Sequence, residues 1–139
     1  MKVVLDSNIL LVAIGRRSNY RVIWDAFIEG KIDLIVSEDI LYEYEEIMQE
    51  HSAPGVAEVV MNIFSESSNV IHQQIYYSWN LIKEDPDDNK FFDIAVAGNA
   101  DYLVTNDAHF NPVKHLAFPS VNIISAGVFL EIVRGLIKE

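Results

Sequence analysis

The sequence predicts a three-layer α/β/α domain built on a central parallel sheet of about five strands. Three observations predict it. Short apolar, largely β-branched runs recur without polar alternation, as strands buried on both faces require. Longer stretches with helical spacing lie between them, and that order forces crossover connections and parallel pairing. No internal repeat, low-complexity stretch or Pro/Gly linker divides the 139 residues, and a domain usually holds about 100–150.

The apolar runs are Val3-Val4-Leu5, Ile32 to Val36, Val70-Ile71, Tyr102-Leu103-Val104 and Val121 to Ile124. Helical patterns are expected over about 8–14, 20–29, 38–51, 55–66, 76–83, 88–99 and 125–137. In such folds ligands bind beyond the carboxyl ends of the strands. The residues directly after each strand are therefore the ones to read for chemistry.

Composition narrows that chemistry. Half the residues are hydrophobic and 22% are charged, enough to bury a core and too apolar for a disordered chain. Cysteine is absent, which excludes a disulfide framework, a thiolate zinc site and a cysteine nucleophile. The formal charge is −11, from 10 basic and 21 acidic residues. That argues against nucleic-acid or membrane binding through net charge alone, but not against an acidic site whose charge a bound cation offsets. No apolar run approaches the ~20 residues needed to span a bilayer. Residues 1–5 lack the long apolar core of a signal peptide. A cytoplasmic location without membrane attachment is expected.

Acidic residues follow three of the strands. Asp6 ends the first, where its ordinary role is to cap the helix beginning near Ile9. Ser37 ends the second and leads into a glutamate-rich helix. At about 100° per residue, Ile40, Leu41, Tyr44, Ile47 and Met48 form one apolar arc, with Glu43 and Glu45 on its two borders. Either can reach inward, and Glu43 lies nearer the strand end. In Glu84-Asp85-Pro86-Asp87-Asp88-Asn89 most of the acids suit a helix N-terminus through its dipole. Asp88 differs, because Phe91, Phe92 and Ala95 put it in the middle of an apolar face, where a carboxylate must be paired, hydrogen-bonded or bound to metal. Asp93 falls on the opposite side and reads as peripheral. Asp107 follows Tyr102-Leu103-Val104-Thr105-Asn106, where an ordinary turn aspartate is the plain alternative. Acids after the first, second and fourth strands, joined by Asp88, would converge on one end of a parallel sheet. Oxygen ligands alone suit a hard cation such as Mg²⁺ or Mn²⁺, which can activate water against a phosphodiester.

These residues resemble the PIN-domain nucleases. The resemblance is carried by Val4-Leu5-Asp6-Ser7-Asn8, by Ser37 with Glu43, by Asp85-Pro86-Asp87-Asp88-Asn89-Lys90-Phe91, by Ala95 with Ala97, and by Ala100 through Asp107. It is nearest the branch assigned as toxins of toxin–antitoxin systems, VapC-like ribonucleases, and covers nearly the whole chain. The resemblance implies a Mg²⁺- or Mn²⁺-dependent endoribonuclease. It implies metal-site acids at Asp6, Glu43, Asp88 and Asp107, and so selects Glu43 over Glu45. Asn8 and Thr105 match the family's polar positions and would orient a carboxylate or contact the scissile phosphate. Asn106 stands where the family often has Gly. The implied partners are RNA, a small antitoxin and a second copy of the chain. Arg16, Arg17 and Arg21 are candidates for meeting phosphates, with solvated loop charges as the plain alternative.

Two other readings fail on the residues. A phosphoacceptor receiver domain needs an acceptor Asp after a central strand and a late Lys; Ser37 and Ser125 stand there. An aspartyl-nucleophile phosphatase needs a second Asp two residues after Asp6, where Asn8 stands. A non-catalytic interaction module on the same fold remains the alternative from another class.

Overall fold

A computed structural model of the chain describes residues 1–137. The apolar runs become five strands: β1 (Lys2–Leu5), β2 (Asp33–Val36), β3 (Val70–His72), β4 (Tyr102–Val104) and β5 (Ile123–Ile124). They form one all-parallel sheet in the order β3-β2-β1-β4-β5. Val3 pairs with Leu34 on one side and Tyr102 on the other, while Leu5 pairs with Val104. The interior residues of β1, β2 and β4 are almost wholly buried, which is why their sequences are apolar without alternation.

Strand order reverses beside β1. The chain steps outward from β1 through β2 to β3, then crosses back to add β4 and β5 on the other side. The crevice at the carboxyl ends of β1 and β4 is thus the switch point where α/β sheets bind ligands.

Six α-helices flank the sheet: α1 (Ser7–Ala13), α2 (Arg21–Ile28), α3 (Glu38–His51), α4 (Val56–Glu66), α5 (Asn89–Ala97) and α6 (Ala126–Ile137). α1 packs on α2 and α3, α3 on α4, and α2 on α6, while α5 lies directly on β1, β2 and β4. Trp24 and Phe27 from α2, Tyr44 from α3 and Phe64 from α4 share one aromatic cluster, with ring centroids 5.3–6.1 Å apart. Its offset and edge contacts lock the three helices together. α5 ends at Gly98, where a Cβ would meet Ile35 Cδ1 at 3.0 Å, and at Asn99, whose φ of 51° turns the chain out of the helix.

Two expectations fail around α5. The helix expected over 76–83 is absent, and the segment is irregular. Its backbone groups are taken by side chains of α5 instead. Asn89 accepts from the Ile82 N–H and donates to the Ile82 carbonyl, both at 2.9 Å, and Asp93 Oδ1 accepts from the Trp79 N–H at 3.2 Å. Asn80, with φ of 53°, breaks the helical path between them. The same packing corrects the reading of Asp93 as peripheral. The 79–82 segment covers the outer side of α5, so Asp93 is 5% exposed. The expected helix start at Asp88 is a 3-10 turn, Pro86–Asp88, that hands over to α5.

Candidate metal centre

Asp6 stands at the carboxyl end of β1, and its N–H continues the ladder to the Val104 carbonyl at 3.0 Å. It occupies the cap position of α1, yet its carboxylate makes no capping bond. It accepts instead from Thr105 Oγ1 at 2.7 Å, across the β1–β4 crevice. Thr105 Oγ1 in turn accepts from the Asp107 N–H at 3.0 Å. Both Asp6 and Thr105 are buried.

Asp107 follows β4 and also does the work of a turn aspartate. Its Oδ1 accepts from the His109 N–H at 2.8 Å and caps the 3-10 helix Ala108–Val113. Glu43 comes from α3, which Ser37 caps by accepting from the Ile40 N–H at 3.2 Å. The Tyr44 hydroxyl, donating to the Leu5 carbonyl at 2.5 Å, seats α3 against the end of β1. Glu43 Oε2 accepts from Ser7 Oγ, and Lys90 Nζ lies 2.7 Å from Glu43 Oε1. Glu45 has no part in this network among the described residues. Asn8 sits on the first turn of α1 with an exposed side chain.

The electrostatics tie these acids together. Asp88 has a carboxyl pKa pushed up to about 8, first by burial, then by the negative charges of Asp6, Asp85 and Asp107. Burial also raises the Asp6 carboxyl; the Thr105 hydrogen bond and the Ser7 N–H oppose it, while Glu43 and Asp107 add to it. Burial, followed by Asp6 and Glu43, raises Tyr44 as well. The acids whose charges raise the Asp88 carboxyl therefore lie close around it.

Two residues of the cluster have no counterpart in the sequence reading of the site. Asp85 and His109, with Asp88 and Asp107, offer one ligand atom each, and all four atoms lie within 4.8 Å of one another. Asp88 Oδ2 and His109 Nδ1 are buried with no hydrogen-bond partner among the described residues. Unpaired buried polar atoms inside a ring of hard oxygen donors fit a divalent cation, which would satisfy both. Asp85 was hidden among acids that the helix dipole explains, and a single His after Asp107 carries no periodic signal.

Arg16 and Arg21 lie elsewhere. They line a groove of about 810 Å³ with Leu11, Ile14, Trp24 and Val59. Arg21 there donates to the Ile14 carbonyl at 2.6 Å and pairs with Asp25 at 3.3 Å. The base beside the acids is Lys90, which borders a cleft of about 530 Å³ with Glu43, Glu46 and Asp87.

Fold and site together define an α/β domain with an acidic, cation-fitting centre at the switch point of a parallel sheet. The chain belongs to the PIN domain family, whose model matches residues 2–109. No curated protein matches the sequence. Among solved structures it is similar to VapBC2 from Rickettsia felis, determined bound to a DNA fragment from their promoter. The TM-score is 0.61 at 17% identity, over 90% of this chain and 98% of the other. That likeness extends the shared fold past residue 109 towards the C-terminus. No helix among the described residues is long and apolar enough to cross a membrane.

Proposed function

We propose that this protein is a Mg²⁺- or Mn²⁺-dependent endoribonuclease that acts as the toxin of a toxin–antitoxin pair. The observation that carries the reading is the gathering of Asp6, Asp88 and Asp107 at the switch point of a PIN-family sheet, close enough that Asp6 and Asp107 help push the Asp88 carboxyl up. Such crowding destabilises the metal-free fold and is useful only when a cation is bound.

Asp6, Asp88 and Asp107 would hold the cation, with Glu43 as the fourth acid of the site. When bound, the ion offsets charge on the scissile phosphodiester and activates water. Thr105 keeps the Asp6 carboxylate turned towards the centre through the 2.7 Å bond. Ser7 and Lys90 fix the rotamer of Glu43. Lys90 also offers a positive charge to an RNA phosphate in a chain of net charge −11. Asn8, exposed at the start of α1, would contact the same backbone.

The toxin role, and a small antitoxin as partner, draw support from the similarity to VapBC2. The chain's 50% hydrophobic content also allows pairing with a second copy. The test is cleavage of a structured RNA in Mg²⁺ or Mn²⁺. Cleavage that a chelator abolishes and Asp88→Asn loses supports the enzyme. Full cleavage in chelator would sink the metal mechanism, and RNA binding without cleavage would favour a non-catalytic module.

A further inference from the structure

Aromatic side chains outside the core gather on one surface. Among the described residues the exposed aromatics are Tyr42, Tyr76, Tyr77 and Phe118, and the last three lie on two irregular segments, 73–85 and 114–122. Half-buried Trp79 joins the segments. Its ring centroid is 4.6 Å from that of Tyr77 and 5.6 Å from that of Phe118, at interplanar angles of 63° and 81°. The rings thus meet edge to face rather than stacking on one another. Tyr77 is 64% and Phe118 79% exposed, so most of their π surface stays open. The tier is anchored, because Asp93 Oδ1 of α5 accepts from the Trp79 N–H at 3.2 Å. Apolar surface that is contiguous, fixed and uncovered marks a binding surface.

Charge decides the kind of partner. Residues 67–83 and 108–130 contain no Asp or Glu, in a chain that has 21. These two stretches carry the whole tier, together with Lys83 and Lys114. Neither lysine pairs with an acid among the described residues. The segments are therefore neutral to positive on a protein of net charge −11. Open π faces and positive charge on the same segments suit a chain that offers flat bases and phosphates together, a single-stranded nucleic acid. A duplex keeps its base faces stacked inside and cannot use such a surface.

The same two segments lead to the acidic centre. Asp85 lies six residues beyond Trp79, a path of at most about 20 Å. Phe118 follows the 3-10 helix that Asp107 caps. Beside the acids the segments meet again, where Glu84 Oε2 lies 3.8 Å from His109 Nε2. We propose that Tyr77, Trp79 and Phe118, with Lys83 and Lys114, form a stacking platform for unpaired bases of a single-stranded RNA whose scissile phosphate reaches the acids. RNA as the occupant rests on the nuclease reading above, while the platform itself uses none of the acids.

The experiment uses a short unpaired RNA, and the same RNA annealed to its complement, with the whole chain in chelator so that neither is cut. Trp24→Phe leaves Trp79 as the only tryptophan. The unpaired RNA should quench its emission and the duplex should not. Tyr77→Ala and Phe118→Ala should each weaken binding by about 5- to 100-fold, the loss expected for one stacked base. Phe118→Leu, apolar but without a π face, should lose as much, and Phe118→Trp should keep binding. Both positions are exposed, and thermal melts check that the variants are folded. Unquenched emission, equal affinity for the duplex, or full binding by Phe118→Leu overturns the proposal. So does a dimer in sedimentation that Phe118→Ala dissociates, because the tier would then be an interface between copies. Cleavage of RNA by the wild type in Mn²⁺ alongside any of those results leaves the nuclease reading intact. Quenching by unpaired RNA without cleavage in Mn²⁺ removes that reading and leaves the platform standing.

Discussion

Thr105 and Asp6 stand 99 residues apart in sequence and meet through a 2.7 Å hydrogen bond between buried groups. That contact exists because β4 pairs beside β1, with Leu5 opposite Val104. The bond stabilises the charged form of a carboxylate whose burial favours the neutral one. Thr105→Val should leave an Asp6 oxygen buried without its donor, at a cost of about 1–3 kcal/mol. Urea denaturation of the metal-free protein measures it. Thr105→Ser keeps the hydroxyl and should recover most of the loss. Equal stability of the valine variant and the wild type would contradict the role assigned to the bond.

The Asp88 carboxyl, pushed up to about 8, predicts a pH dependence. Its unfolded value is about 3.9, so the folded state binds the extra proton between the two. Its contribution to stability is complete below about pH 4 and is lost as pH rises through about 8. Asp6 and Asp93 are shifted in the same direction and act with the same sign. Metal-free protein should therefore melt progressively lower from acid to mildly alkaline pH, apart from general acid unfolding. General repulsion in an acidic chain adds to the slope. The decisive comparison is Asp88→Asn, which should flatten the dependence between pH 5 and 8.

A bound dication should reverse that penalty. It binds the folded cluster and not the dispersed acids of the unfolded chain. At about ten times its dissociation constant it would add roughly 1.4 kcal/mol. For a domain of this size the melting shift is about 3–6 °C. Asp88→Asn should raise the metal-free melting temperature and shrink the shift with Mn²⁺. Thermal melts of both proteins, with Mn²⁺ and with chelator, read both effects. A wild-type melt unmoved by saturating metal would count against a shared acidic site.

Asp93 and Asp88 lie five residues apart and are both buried, yet they should respond differently. Asp93 Oδ1 accepts from the Trp79 N–H at 3.2 Å, and an asparagine oxygen can do the same. Asp93→Asn should keep most RNA cleavage and most stability. Asp93→Ala, which strands the Trp79 N–H, should lose about 1–3 kcal/mol of stability. Asp88→Asn should lose most cleavage while remaining folded. Matching losses of cleavage in Asp93→Asn and Asp88→Asn would move the site away from the assignment made above.

The sheet was legible because β1, β2 and β4 are covered on both faces, and burial on both faces writes an unbroken apolar run into the sequence. The helices that bury one stripe, such as α3 with Ile40, Tyr44 and Met48 inward, carry their own periodicity. Parallel topology then brings the residues after β1 and β4 to one end, which is why Asp6 and Asp107 could be singled out as neighbours from the sequence, while Thr105 came from the resemblance. The resemblance carried by the motifs, rather than periodicity, chose Glu43 over Glu45. Other features were set only by tertiary contact. Residues 76–83 have a helix-compatible composition, but Asn89 and Asp93 of α5 capture their backbone groups. That capture buries Asp93, whose place on the helix wheel points away from the sheet. His109 is aimed into the acids by the 3-10 helix that Asp107 caps. Periodicity records only what one element presents to a single neighbouring layer. A side chain enclosed by two elements, or turned inward from a short irregular turn, has its environment set by residues remote in sequence, and only the folded chain brings them together.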